Sequence, residues 1–328
     1  MAKHPHPIDR VLHIAVESPW AMTRPMVTLV AQVIARRVTG SEEIPAVDFQ
    51  AGPTKVAPVA PGAGVLVLPL HGVMMPRATA MSDISGATAY DDVTTQLRAA
   101  VNDPKVGTIV LDVDSPGGNA QGATELAAEV LKARAVKPVI AQANFNMCSA
   151  AYWIASCATS IVAAPSASIG SIGVFNIHED LSAALEKVGV KLTFIAAGKY
   201  KVDPNPATPL SDETRARLQA RVDAIYGTFV QDVARGRGVT VDAVRAGFGE
   251  GDVVNADTAL ALGMVDRIGT LDDTVARALS PAPETTVARA AAATPPAHDT
   301  PQEPSPATGQ DRAREVRDLQ HALLGLGF

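Results

Sequence analysis

The sequence predicts an α/β fold. Three apolar runs, Gly64 to Leu70, Thr108 to Val113 and Pro138 to Ala143, have the length and the continuous hydrophobicity of strands buried on both faces. After the second and third the pattern changes through a short polar or Gly-rich turn to helical spacing, and strand, tight turn, helix is the α/β order. The composition agrees. Of the 328 residues, 47% are hydrophobic and 19% charged, which is enough for a sizeable core, while only 4% are aromatic, so Ala, Val, Leu and Ile must fill it.

Taken in order, residues 1 to 60 read as an N-terminal arm. Trp20 to Arg37 can form one helix, and the closely spaced Pro45, Pro53, Pro58 and Pro61 exclude a long helix or a central strand after it. The apolar part of that segment is too short to span a membrane and is flanked by Arg24, Arg36 and Arg37. A strand is expected at Gly64 to Leu70, then a loop from Met74 to Gly86 and a helix from Asp92 to Val101, ended by Asn102-Asp103-Pro104. The second strand runs into a turn, Asp114-Ser-Pro-Gly-Gly118, followed by a helix from Ala120 to Arg134.

The third strand leads to Ser149, which opens a run of small and apolar residues that reads as a buried helix. Beyond it the spacing predicts a strand at Ser160 to Ala164, a loop at 168–173, a helix at Asp180 to Val188 and a strand at Lys191 to Ala196. A long helix from Ser211 to Arg235 has Ser211 as its cap and acidic residues in its first turn. Two shorter helices, a last strand and a helix from Leu271 to Leu279 close a domain spanning 61–279. Residues 280–310 hold seven prolines from Pro281 onward and no apolar periodicity, so they read as a disordered linker. Val316, Leu319, Leu323 and Leu326 restore helical spacing in 311–328, an amphipathic helix suited to a partner or to its own domain.

Net charge is −6, with no basic patch interleaved with aromatics, which argues against nucleic acid as a partner. Cys148 and Cys157 give neither a disulfide framework nor a metal-binding spacing and read as small buried hydrophobes in a reducing, cytoplasmic compartment. No motif calls for a metal or any other cofactor.

A serine at a strand-to-helix turn lies among free backbone N–H groups at the positive end of the helix dipole, which suits a nucleophile whose product is an oxyanion. The competing role for Ser149 is a plain helix cap. The paired glycines Gly117 and Gly118 let backbone approach a ligand and offer N–H groups to an anion; the competing role is an ordinary turn. Three residues downstream of Ser149 are candidate bases: His178, Lys199 and Lys201. A lysine would need an apolar surround to be neutral. Lys199 and Lys201 are two apart, so in extended chain only one can face the serine. His71, alone after a strand, reads as structural.

Four segments together carry a family resemblance: Asp114-Ser-Pro-Gly-Gly118, Met147-Cys-Ser-Ala-Ala-Tyr152, Gly170-Ser-Ile-Gly173 and Gly198-Lys-Tyr-Lys201. In this order and spacing, across residues 64 to 279, the chain resembles the signal peptide peptidase A type of serine protease. The resemblance implies Ser149 as nucleophile and Lys201, in the Gly-x-x-Lys segment, as base. It implies an oxyanion region at Gly117 and Gly118, joined by the N–H of Ala150. It also implies the Clp protease/crotonase-like fold, a superhelix of β-β-α units assembled into rings. Two departures stand out: Ser-Ala-Ala replaces the usual Ser-Gly-Gly, and the membrane anchor of cellular members is missing. The chain is most similar to the phage branch, the minor capsid or prohead proteases, which implies scaffolding and portal-associated proteins as substrates. The rival readings are a Clp-like Ser149–His178 peptidase, a soluble cellular relative, a non-catalytic capsid component and a crotonase-like acyl-CoA enzyme.

Overall fold

The computed structural model describes residues 20–22, 64–77 and 87–279. The expected C-terminal linker and amphipathic helix, and nearly all of the expected N-terminal arm, lie outside the described residues. The elements of the larger sheet are β2 (Gly64–His71), β5 (Val106–Ser115), β7 (Val139–Cys148), β8 (Ser160–Ala163), β9 (Ser168–Gly170), β10 (Val253–Asn255) and β11 (Arg267–Ile268). Strands β2, β5 and β7 run parallel; the first half of β7 pairs with β8 and its second half with β9. A smaller sheet has the order β1 (Trp20–Met22), β6 (Gly117–Asn119), β3 (Met74–Met75), β4 (Thr88–Ala89).

The chain passes between the sheets twice by the same route. Strand β2 leads into β3 and β4 and then helix α1 (Tyr90–Asn102); β5 leads into β6 and then helix α2 (Ala123–Arg134). These are two successive β-β-α units, and with the parallel sheet they bear out the expected fold class. The central strands are apolar because they are covered on both faces. Ile109, Leu111, Val113, Val139, Ala141 and Ala143 are all fully buried. Strand β2 departs from that expectation: it ends the path of the larger sheet, and only Leu68 and Leu70 are buried along it.

Other elements differ from the sequence reading: Met74–Met75 and Ser168–Gly170, expected within loops, are short strands because they pair with sheet neighbours. Trp20–Met22 is a strand rather than the start of a helix, because its backbone pairs antiparallel with Gly117–Asn119. The Gly117-Gly118 turn is itself a strand: Pro116 ends β5, and two residues without Cβ let β1 and β3 close on either side. Lys191 to Ala196 forms no strand. Its alternating apolar residues find no sheet edge, and Leu192, Phe194 and Ile195 stay exposed, Ile195 at 98%.

Helix α3 (Ala150–Ala155) follows Ser149 directly and is buried at every residue. Helix α4 (Ser182–Lys187) lies outside the core. Helix α5 (Asp212–Arg237) begins with the expected Ser211 cap, whose Oγ accepts from the Thr214 N–H at 3.2 Å. Its C-terminal half packs on α2 and α3. Phe229 stacks on Trp153 with centroids 4.4 Å apart and planes within 6°. Asp232, 6% exposed, accepts 2.8 Å hydrogen bonds from Trp153 Nε1 and Thr124 Oγ1, and Arg235 pairs with its other oxygen. One carboxylate thus joins α5 to α2 and α3. Arg237, 2% exposed, makes a two-pronged pair with Asp266 and fixes the end of α5. Helices α6 (Val241–Gly247), α7 (Ala256–Ala261) and α8 (Leu271–Leu279) complete the described chain.

Asp232→Ala should lower stability by about 2–4 kcal/mol, because it leaves the Trp153 N–H buried without an acceptor. Asp232→Asn keeps an acceptor and should lose less. Urea unfolding of both variants checks the order.

Candidate active site

Ser149 stands where β7 ends and α3 begins, with φ 54° and ψ −119°. A non-glycine residue rarely adopts that backbone, and holding it there costs about 1–3 kcal/mol. Its neighbours hold it. The Ser149 N–H donates to Gly170 O at 2.7 Å, and its carbonyl accepts from the Trp153 N–H at 2.8 Å. The side chain makes no capping hydrogen bond, so the plain cap role is overturned. The nearest hydrogen-bond partner of Oγ is the Gly173 carbonyl at 3.5 Å, and the residue is fully buried. A sharp, strained strand-to-helix turn that frees a hydroxyl from helix capping is the arrangement of a nucleophile elbow.

Three of the four sequence segments converge here. Strand β9 pairs with the last residues of β7, which sets Gly170 beside Cys148 and carries Gly173 to the hydroxyl. Gly117 lies against Ser149 from the other side. A Cβ placed on Gly117 would lie 2.9 Å from Ser149 Cβ and 3.0 Å from Ala150 N, and φ is +99° at this position. A Cβ on Gly118 would lie 2.0 Å from Met74 O, so β3 closes directly on that residue. Ala150 is the first residue of α3, so its N–H has no intrahelical acceptor. The Gly117 N–H donates to Ser115 Oγ at 3.1 Å, and Ser115 donates to Gly72 O at 2.6 Å. Ser115, fully buried, is thus a positioning residue that the sequence reading passed over. A hydroxyl at the end of an apolar strand, two residues before a glycine pair, was the available signal.

The candidate bases do not reach Ser149 within this chain. Lys201 is exposed, and its side chain makes no hydrogen bond or ion pair among the described residues. The chain around it does not supply the expected apolar surround. Lys199 pairs with Glu213, whose carboxylate also accepts from Tyr200 OH at 2.7 Å; that contact, with Tyr200 nearby, raises the Lys199 pKa above its ordinary value. Asp203 accepts from Thr214 Oγ1 and from Arg217 Nη2 at 3.1 Å. Residues 199–203 are thereby tied to the first turns of α5, with Lys201 left unpaired. His178 Nε2 is buried and without a hydrogen-bond partner among the described residues, so it makes no hydrogen bond to Ser149 either. Burial pushes the thiols of Cys148 and Cys157 up to about 12 and about 11, which keeps both protonated. Among the described residues no group of three or more His, Cys, Asp or Glu is placed to hold a metal ion.

The model of peptidase family S49 matches residues 132–282. A provisionally labelled protease of Synechocystis is 33% identical over 199 residues, which cover 60% of this chain and 72% of the relative. The chain belongs to peptidase family S49. Within S49 it is similar to two phage proteins. Capsid assembly protease C of Escherichia phage lambda is 38% identical over 212 residues, covering 65% of this chain and 48% of the relative. Head-tail preconnector protein GP5 of Enterobacteria phage P21 is 36% identical over 212 residues, covering 65% and 42%. This S49 chain therefore spans less than half the length of those two relatives. Among solved structures, a ClpP1 variant of Listeria monocytogenes overlaps with a TM-score of 0.41 at 11% identity, covering 64% of this chain and 94% of that one. An overlap at that score adds nothing to the topology given above. No helix among the described residues is long and apolar enough to cross a membrane.

His71 has the structural role the sequence suggested. Its Nε2 meets Asp112 Oδ2 at 3.0 Å, joining β2 to β5. The hydrogen bond to Asp112 outweighs burial, and with the charges of Asp112 and Asp114 it raises the His71 pKa. The stabilisation is therefore fully present below the ordinary histidine range and lost as pH rises through the higher folded value. Wild type should exceed His71→Asn in stability by about 1 kcal/mol near pH 5.5 and by less near pH 9. Urea midpoints at the two pH values read this, and a gap independent of pH would contradict it.

Proposed function

We propose that this S49 chain is a serine endopeptidase in which Ser149 is the nucleophile and Lys201 the general base. The observation that carries the reading is the strained, uncapped Ser149 beside the Gly117 backbone and the Ala150 N–H. In the proposed reaction neutral Lys201 takes the Ser149 proton, and the alkoxide attacks a peptide carbonyl. The Ala150 N–H and an N–H of the Gly117–Gly118 segment hold the oxyanion, the Gly117 N–H only on leaving Ser115 Oγ. The leaving amine takes the proton back, and water hydrolyses the acyl-enzyme.

Lys201 rather than Lys199 fits this role because Lys199 is committed to Glu213. Since Lys201 is exposed in the single chain, the reading requires an adjoining copy to bring an amine to Ser149 and exclude water. The unpartnered Val188, Leu192, Phe194 and Ile195 favour such an assembly, a homo-oligomeric ring. The likeness to the lambda and P21 proteins favours a role in capsid assembly, with scaffolding or portal-associated proteins as substrates inside the host cell.

Ser149→Ala and Lys201→Ala should each lower peptide hydrolysis by at least ~10³-fold, whereas Lys199→Ala should be mild. Fragment masses from co-expression with the neighbouring structural proteins give the natural cleavage sites. Mixing the two inactive variants tests the source of the amine. Restored activity is expected if the base crosses between copies, and none if each chain uses its own. Full activity in Ser149→Ala would end the peptidase reading.

A further inference from the structure

The end strand of the small sheet comes from far upstream. Trp20–Met22 lies antiparallel on Gly117–Asn119, with Ala21 opposite Gly118 and Met22 opposite Gly117. Ala21 is fully buried. The contact falls on the nucleophile. A Cβ placed on Gly117 would lie 2.2 Å from the Ala21 carbonyl oxygen, 2.9 Å from Ser149 Cβ and 3.0 Å from Ala150 N. A main-chain carbonyl of an extended segment, the serine and a helix-opening N–H thus surround one point.

Those are the parts that acyl transfer brings together. An extended peptide recognised through main-chain hydrogen bonds adds itself to a free sheet edge. Here β6 has β3 on one edge, and its other edge is filled by the chain's own residues 20–22. The occupant is also small: Ala21, fully buried with a single methyl group, lies opposite Gly118 in register.

From this we infer that Trp20–Met22 is an internal occupant of the substrate strand site, which a protein substrate must displace before cleavage. The inference rests on the peptidase reading and adds regulation to it. While the segment is docked, the apparent affinity for substrate falls by the fraction of chains whose site is open. It also points to a substrate class: extended segments with a small residue at the position Ala21 takes.

The test compares the full chain with Ala21→Lys, which places a charge in a fully buried position. The readouts are hydrolysis of a fluorogenic extended peptide and the rate of fluorophosphonate labelling. If the docked segment leaves one site in ten open, Ala21→Lys should show about tenfold lower KM with kcat little changed, and faster labelling. A synthetic peptide of residues 17–25 should inhibit the variant competitively. Equal rates in two chains that both label would overturn the inference and leave the peptidase reading standing. If neither chain labels, the peptidase reading falls and the inference with it.

The substitution can also unfold the region, so a second measurement uses the unaltered chain. Amide exchange is followed with and without a saturating peptide aldehyde. Expected is loss of protection at Ala21 while Asn119 stays protected by the incoming strand. Unchanged protection at Ala21 with the aldehyde bound would overturn the inference.

Discussion

The backbone of Ser149 is the constraint on which the site depends. At φ 54° the residue belongs neither to the strand before it nor to the helix after it, and that position turns the hydroxyl away from capping. Isolated chain would relax. Here both sides are anchored: β9 clamps the end of β7 and accepts the Ser149 N–H, while α3 is buried throughout. Asp232 and Phe229 of α5 secure α3 through Trp153. A carboxylate in the core is thereby connected, through one short helix, to the geometry of the Ser149 hydroxyl.

The same frame separates the serine from its proposed base. Ser149 lies in the core, whereas the 199–203 segment is tied to the exposed first turns of α5 through Glu213, Thr214 and Arg217. The result is one unpaired lysine presented at the surface close in sequence to an uncovered apolar segment. A neutral amine requires exclusion of water, and the single chain does not provide it. Confinement between copies would couple activity to assembly.

Much of the fold was legible because its strands are apolar runs of strand length. Thr108 to Val113 is the core of β5, and Val139 to Ala143, within the predicted run from Pro138, is the first half of β7. What was not legible depended on partners. Gly117–Asn119 has no intrinsic strand preference, and it is a strand because two neighbours approach where no Cβ stands between them. Trp20–Met22 pairs with residues far along the chain. Lys191 to Ala196 has strand character and no edge to join. In the candidate site, Ser149 was marked by the strand-to-helix change and Gly117 by the glycine pair, whereas Ala150 entered only with the family resemblance. Ser115 was not marked, because its role is to hold Gly117 rather than to react. Asp232 could have been suspected as a lone acid among Phe229, Val230 and Val233 on α5.

The pairing of a buried serine with an amine brought from a surface segment is tested most directly by the pH dependence of Ser149 acylation in the assembled protein. With Lys201 as base, the rate should rise with pH through a single ionisation. That ionisation should vanish in Lys201→Gln and persist in His178→Gln. A profile that Lys201→Gln leaves intact and His178→Gln abolishes would contradict the Ser–Lys assignment.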